Sequence, residues 1–293
     1  MRDKPDIGAV GCVIPEASNL VEIGSGGYKV VYRATVAGEE QAVKLVRIPT
    51  DGDGEIKEEN LGRLRREIAL LSECESPFLV KLASIEPREV VIGSDLFVVY
   101  SEERVPGETI RERMRRKYEP SIGDLAEAGL CLLRATAELA GKGVVHRDIK
   151  PDNVMITGVP ERPAVLLDLG IAFQTGGTPL TRDSGQLPGT LHYIAPEMLD
   201  PKFRQNLDHR ADLYTIGLTL YEYASGVNPF RDPNEPGYTT LYRIKTKTPA
   251  PLVTHRPDLS IELCRLIDQL LKKLPALRPS SISSLIARME GLK

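Results

Sequence analysis

The stretch that decides the fold runs His146-Arg147-Asp148-Ile149-Lys150-Pro151-Asp152-Asn153, followed by the apolar run Val154-Met155-Ile156. So dense a mix of charges makes a poor core strand and a poor amphipathic helix. Its sense is chemical. Asp148 can accept a proton from a hydroxyl. Lys150, two residues on, can reach the same phosphate from the same side of an extended loop. Asn153 can offer its carbonyl oxygen to a hard cation such as Mg²⁺. Further on, Val165-Leu166-Leu167-Asp168-Leu169-Gly170 is an apolar strand ending in a carboxylate and a glycine. That ending suits a second metal ligand at a turn.

The composition around this stretch is that of a soluble globular protein. The chain has 293 residues, 41% hydrophobic and 27% charged, long enough for two lobes around a sizeable core. A net charge of -3 supplies no bulk attraction to nucleic acid or to an anionic membrane. Cys12, Cys74, Cys131 and Cys264 stand far apart without a CxxC pair, which argues against zinc and fits a reducing compartment. The charged start Met1–Pro5 has no apolar core of a signal peptide. The apolar-leaning run near 125–146 is too interrupted by charge to span a bilayer.

In the first third, Leu20 to Ile23 and Val30 to Ala34 are predicted as strands joined by Gly24-Ser25-Gly26-Gly27-Tyr28-Lys29, a hairpin with a glycine-rich tip. Glycines there let backbone N–H groups approach a phosphate closely; a plain turn would use them too. Residues 1–17 are predicted as an extended lead-in and Pro49 to Asn60 as a loop. Gln41 to Val46 alternates as a strand that carries Lys44 in an apolar setting. A helix follows, with Leu61, Leu64, Ile68 and Leu71 on one face and Glu67 beside it. Val80 to Ile85 and Leu96 to Tyr100 are predicted as two more strands. The basic run Arg111, Arg113, Arg115, Arg116 and Lys117 is predicted as a solvated helix face. A long helix is expected over Ile122 to Lys142. Residues 171–189 are rich in glycine, proline and hydroxyl side chains, as befits a phosphorylatable segment.

These motifs, in this order over about residues 20–290, resemble the catalytic domain of eukaryotic-type serine/threonine protein kinases, with phrasing most like bacterial members. The closing segment Gly189-Thr190-Leu191-His192-Tyr193-Ile194-Ala195-Pro196-Glu197 fits that family's G-T-x-x-Y-x-A-P-E closely. The resemblance implies an α+β bilobal fold. Residues 18–103 would form a small antiparallel β-sheet lobe with one main helix, and residues 104–293 a larger, mainly helical lobe. It implies ATP with Mg²⁺ or Mn²⁺, protein substrates, a homodimer for autophosphorylation in trans, no nucleic acid, no membrane segment and a cytoplasmic setting. Catalytic roles fall to Asp148, Lys150, Asn153, Lys44 and Glu67, the last expected to pair with Lys44. Nucleotide contacts fall to Ile23, Gly24, Ser25, Gly26, Gly27, Val31, Ala42, Lys44, Glu103 and Met155. The metal falls to Asn153 and Asp168. The activation segment holds Thr181, Ser184 and Thr190, and His146, Arg147, Glu197, Asp212 and Arg278 brace the scaffold, Arg278 through a buried pair with Glu197.

Three departures stand out. Lys29 replaces the third glycine of the loop, Leu169 replaces the family's Phe after the metal Asp, and Glu102 occupies the position before the hinge that the family fills with an apolar residue or Thr. The first two are the only support for a pseudokinase or scaffold, because such proteins typically lose the Lys, the catalytic Asp or the metal Asp. A small-molecule phosphotransferase of the same fold usually lacks the Ala-Pro-Glu segment and the threonine motif.

Overall fold

Apolar alternation builds the first third of the chain into a five-stranded antiparallel sheet. Its strands are β1 (Ala17–Ser25), β2 (Lys29–Val36), β3 (Glu39–Arg47), β4 (Arg88–Ile92) and β5 (Asp95–Glu103), in the order β1-β2-β3-β5-β4. One face carries Val30, Tyr32, Ala34 and Val36 of β2, Val43 and Leu45 of β3, and Phe97 and Val99 of β5, all buried in one cluster. The structure is a computed structural model. It describes residues 4–49, 54–169, 192–200, 207–232, 234–235 and 237–292, with backbone alone at 54–56, 59, 63 and 237.

The lead-in is not extended. Residues Ile7–Val13 form a helix, α1, which Asp6 caps by accepting the N–H groups of Gly8 and Ala9 at 2.9 and 3.2 Å. Two glycines in seven residues disfavour a helix by about 1 kcal/mol each. Complete burial of Val10 and Ile14 in the sheet cluster offsets that, at roughly 1.5–3 kcal/mol per side chain. The Val80–Ile85 segment is not a strand either; it makes an isolated bridge between Leu82 and Glu102. Side chains occupy its donors: Gln41 accepts from the N–H of Ser84, and Ser101 from that of Ile85. The strand is Arg88–Ile92, turned onto β5 at Gly93, where φ is 62°. Helix α2 (Gly54–Ser72) begins seven residues before the apolar stripe that predicted it, so residues 54–60 of the expected Pro49–Asn60 loop are helical.

The chain divides into two units, residues 1–74 with 80–105 and residues 75–79 with 106–293. The second unit is helical: α3 (Ile110–Arg115), α4 (Ile122–Gly141), α5 (Arg210–Ser225), α6 (Gly237–Thr246), α7 (Ile261–Leu270) and α8 (Ile282–Glu290). Capping boxes, Thr109 with Glu112 and Ser121 with Asp124, start α3 and α4. Helix α5 is buried from Ala211 to Ala224. At Gly217 a Cβ would fall 2.6 Å from Leu270 Cβ, so glycine is what lets α7 approach. A three-stranded sheet, β6 (Glu108–Thr109), β7 (Val154–Ile156) and β8 (Ala164–Leu166), frames the central stretch of sequence.

The packing of Ile14 yields a stability prediction. Ile14→Ala should lower unfolding stability by about 2–4 kcal/mol, the cost of a core cavity. Urea unfolding checks it; a change near zero would restore the extended lead-in.

Candidate active site

The stretch around Asp148 is held from beneath by a buried carboxylate. Asp212, on α5 and fully buried, accepts the backbone N–H groups of His146 at 2.7 Å and Arg147 at 2.9 Å. Arg147 has φ of 68°, a left-handed conformation that costs a non-glycine residue on the order of 1–3 kcal/mol. The two charge-assisted bonds help to hold it there. Burial pushes the Asp212 carboxyl up to about 6, partly offset by the two N–H donors. His146 is buried as well, and that burial brings its imidazole down to about 4, so it is neutral near pH 7. Its Nδ1 accepts the N–H of Asp148 at 3.3 Å.

The Asp148 carboxylate gathers its neighbours. Lys150 Nζ donates to both of its oxygens at 2.8 Å, and Asn153 Nδ2 donates to Oδ2 at 2.8 Å and to the backbone carbonyl at 2.9 Å. With its amide nitrogen so used, Asn153 presents its carbonyl oxygen as an acceptor. The Leu167 N–H donates to the Asn153 carbonyl at 2.8 Å, where β7 and β8 end together, and Asp168 is the next residue, at φ 55°. Asn153 and Asp168 therefore stand at one end of the same strand pair. No group of three His, Cys, Asp or Glu residues forms a metal cage among the described residues. One carboxylate and one amide oxygen are the sparse, hard donor set that Mg²⁺ accepts when waters and phosphates complete its shell. The residues fit such an ion.

Two polar clusters tie this region to the helices. Arg278, with its side chain at 0% exposure, uses all five N–H donors: two on Glu197 at 2.6 and 2.8 Å, and three on the carbonyls of Lys272, Lys273 and Arg210. Arg111 is not the solvated side chain that its basic run suggested. Its guanidinium donates to Glu222 at 2.9 Å, to Asp152 at 3.2 Å and to the Tyr193 hydroxyl, which donates in turn to Glu222. Arg113 likewise bonds Glu108 at 3.0 Å and Tyr223 at 3.3 Å. Arg115, Arg116 and Lys117 do face solvent.

In the other unit, Gly24, Gly26 and Gly27 form the tip of the β1–β2 hairpin, closed by the Gly26 N–H on the Lys29 carbonyl at 2.7 Å. None of the three adopts a left-handed φ, and a Cβ at any of them would meet nothing within 4 Å. The fold alone therefore gives no reason for glycine there, which suits a site kept open to something outside the chain. Val31 of β2 pairs with Lys44 of β3. Lys44 and Glu102 of β5 form a buried ion pair. Ala42 pairs with Glu102, the Glu103 side chain accepts the Lys81 N–H at 2.8 Å, and Ile23 is about half exposed. Glu67 lies on α2 beside the buried Leu64, Ile68 and Leu71. Met155 is buried in β7 of the helical unit. Thr181, Ser184 and Thr190 lie outside the described residues.

Residues 17–288 match the protein kinase domain family. The chain belongs to that family. This kinase domain is 30% identical over 279 residues to the serine/threonine-protein kinase pkn3 of Myxococcus xanthus, covering 92% of the chain and 48% of that protein. It is 33% identical over 261 residues to the serine/threonine-protein kinase PkaB of Streptomyces coelicolor, covering 86% of the chain and 57% of that protein. The chain thus spans about half the length of these curated relatives. Among solved structures, the kinase domain of Mycobacterium tuberculosis PknI superposes with a TM-score of 0.65 at 22% identity over 94% of this chain and 96% of that one. Rad53 residues 1–466 in complex with AMP-PNP superpose with a TM-score of 0.68 at 21% identity, over 92% and 64% of the two chains. These likenesses show the kinase fold.

Two features of this kinase domain escaped the sequence: the Glu102 partner of Lys44 and the Arg111 cluster. Both depend on pairings between segments far apart in the chain. The β3–β5 register, which sets Glu102 two residues out of step with Lys44, was the one signal that could have revealed the first.

The buried imidazole makes a pH prediction. The folded His146 titrates near 4, below its ordinary 6.5, so the stability that it carries is fully present above pH 6.5 and is lost as pH falls through 4. Asp212 has the opposite sign, its contribution being lost as pH rises through about 6. Replacing the histidine alone isolates its part. The stability gap between wild type and His146→Phe should shrink as pH is lowered from 7 to about 4.5, as read by urea unfolding at each pH. A gap that does not change with pH would mean that His146 is not buried neutral.

Proposed function

We propose that this kinase domain is a protein serine/threonine kinase that moves the γ-phosphoryl group of ATP onto a substrate hydroxyl. The observation that carries the reading is the convergence of Lys150 and Asn153 on the Asp148 carboxylate above the Asp212 brace. The hydroxyl oxygen forms a bond to the γ-phosphorus, the bond from that phosphorus to the bridging oxygen breaks, and ADP leaves. Asp148 orients the hydroxyl and takes its proton. Lys150 neutralises charge on the transferring group. Lys44 holds the α- and β-phosphates, Glu67 supports Lys44, and the Gly24–Val31 loop covers the nucleotide, which Ile23, Ala42, Glu103 and Met155 also line. Asn153 and Asp168 would hold Mg²⁺ or Mn²⁺, whose chemistry is to screen the phosphate oxygens. Catalysis then consists of positioning and charge neutralisation.

Lys150 supports the serine/threonine choice, since tyrosine-specific members usually carry Arg and Ala there. The substrates are proteins, and two copies of the domain phosphorylate each other on Thr181 or Ser184. Such a phosphate, with about -1.5 to -2 charges, would draw the segment toward Arg147. Thr190 is left out as a regulatory site, because the resemblance to the family gives that threonine to bonding the catalytic Asp and Lys. No helix among the described residues is long and apolar enough to cross a membrane, and four free cysteines support a cytoplasmic setting.

Asp148→Asn should keep the fold and ATP binding while phosphoryl transfer falls by roughly 10² or more. Wild type incubated with ATP and Mg²⁺ should gain phosphate within residues 171–189 by mass spectrometry, and the variant should not. Near-normal transfer by folded Asp148→Asn would contradict the base assignment. An active enzyme with an unmodified segment would contradict the autophosphorylation.

A further inference from the structure

A glutamate in the middle of a sheet face is out of place unless something holds it. In the β3–β5 register Lys44 pairs with Tyr100 and Ala42 with Glu102, so Lys44 and Glu102 are diagonal neighbours on one face. Their side chains form an ion pair at 4% and 3% exposure. The Lys44 ammonium also sits 5.8 Å from the centre of the Tyr100 ring, and Val46 and Val98 complete a buried face. Two opposite charges so deeply buried offset each other's loss of water. A family position usually apolar or Thr thus carries a carboxylate bonded to the nucleotide lysine.

We infer that Glu102 is a positioning residue for Lys44, one that keeps its ammonium aimed while competing with nucleotide phosphate for it. This rests on the reading of Lys44 as the phosphate-holding lysine. Glu102 therefore acts in two directions. Its carboxylate engages the ammonium that the polyphosphate would otherwise take, which weakens ATP binding. Its hydrogen bond fixes the lysine, which favours the aligned geometry that transfer needs. Removing the charge while keeping the shape separates the two.

Glu102→Gln should bind ATP roughly tenfold tighter, because a partly screened carboxylate no longer competes with the polyanion for the lysine. Its kcat should fall several-fold in the same preparation, because the lysine is no longer aimed. Glu102→Asp, which keeps the charge, should restore the weaker ATP binding. A merely structural role would lower the active fraction without tightening ATP binding. The second arm repeats Glu102→Gln in a Lys44→Met background, with ATP binding measured by calorimetry. There the change at 102 should have little effect on ATP affinity, because the two sites act through each other. An equal tightening with or without Lys44 overturns the inference. So does an ATP affinity that Glu102→Gln leaves unchanged while Lys44→Met weakens it, an outcome that leaves the kinase reading of Lys44 intact. If Lys44→Met changes neither ATP binding nor turnover, the kinase reading of that lysine falls, and the role of Glu102 falls with it.

Discussion

Everything chemical in the helical unit depends on the Asp212 carboxylate beneath the backbone of His146 and Arg147. Backbone N–H groups that converge on one buried carboxylate make a rigid mount, because leaving either unpaired would cost about 1–3 kcal/mol. The mount stabilises the left-handed Arg147, and the turn there delivers Asp148 to Lys150 and Asn153. Asp212 is ionised at neutral pH despite full burial, since its pKa, though raised, is only about 6. The cost of burying that charge is the cost of a preorganised loop.

The rest of the helical unit keeps that mount in place. Helix α5 is buried over nearly its whole length, so it cannot shift without disturbing the core on every side. Gly217 admits α7 against it, and Arg278 ties the Arg210 carbonyl at its start to Glu197. The same helix supplies Glu222 to the Arg111–Tyr193 cluster, whose other carboxylate, Asp152, lies between Lys150 and Asn153 in the chain. One helix thus supports the reacting loop from below and links it to the segment that ends at Glu197. In the sheet unit the corresponding device is the strand register, which sets the glycine tip, Lys44 and Glu102 on adjoining strands.

The catalytic stretch was legible in the sequence because its chemistry is local. Asp148, Lys150 and Asn153 lie within six residues, and no fold is needed to bring them together. Asp168 was legible for a related reason, as the end of an apolar strand. Local periodicity likewise revealed α4, β2 and β3 to within a few residues. Pattern failed where context outweighed propensity. The glycines of α1 concealed a helix whose stability comes from Val10 and Ile14. The charged start of β4 concealed an edge strand, whereas Val80–Ile85 had strand composition without free donors. The run of basic residues after Thr109 concealed Arg111, because a charge run gives no sign of a carboxylate more than 100 positions away. The Lys44–Glu102 pair is also non-local, and only the strand register exposes it.

The brace is tested most directly by the steady-state kinetics of Asp212→Asn, measured alongside ATP affinity. An amide has the same shape, but it turns one acceptor into a donor facing a backbone N–H, so the loop must move. With the loop displaced, kcat should fall on the order of 10²-fold, the size of a small misplacement of catalytic groups, while ATP binds as in the wild type. A folded variant that turns over at the wild-type rate would contradict this, showing that the Asp148 loop holds its geometry without Asp212.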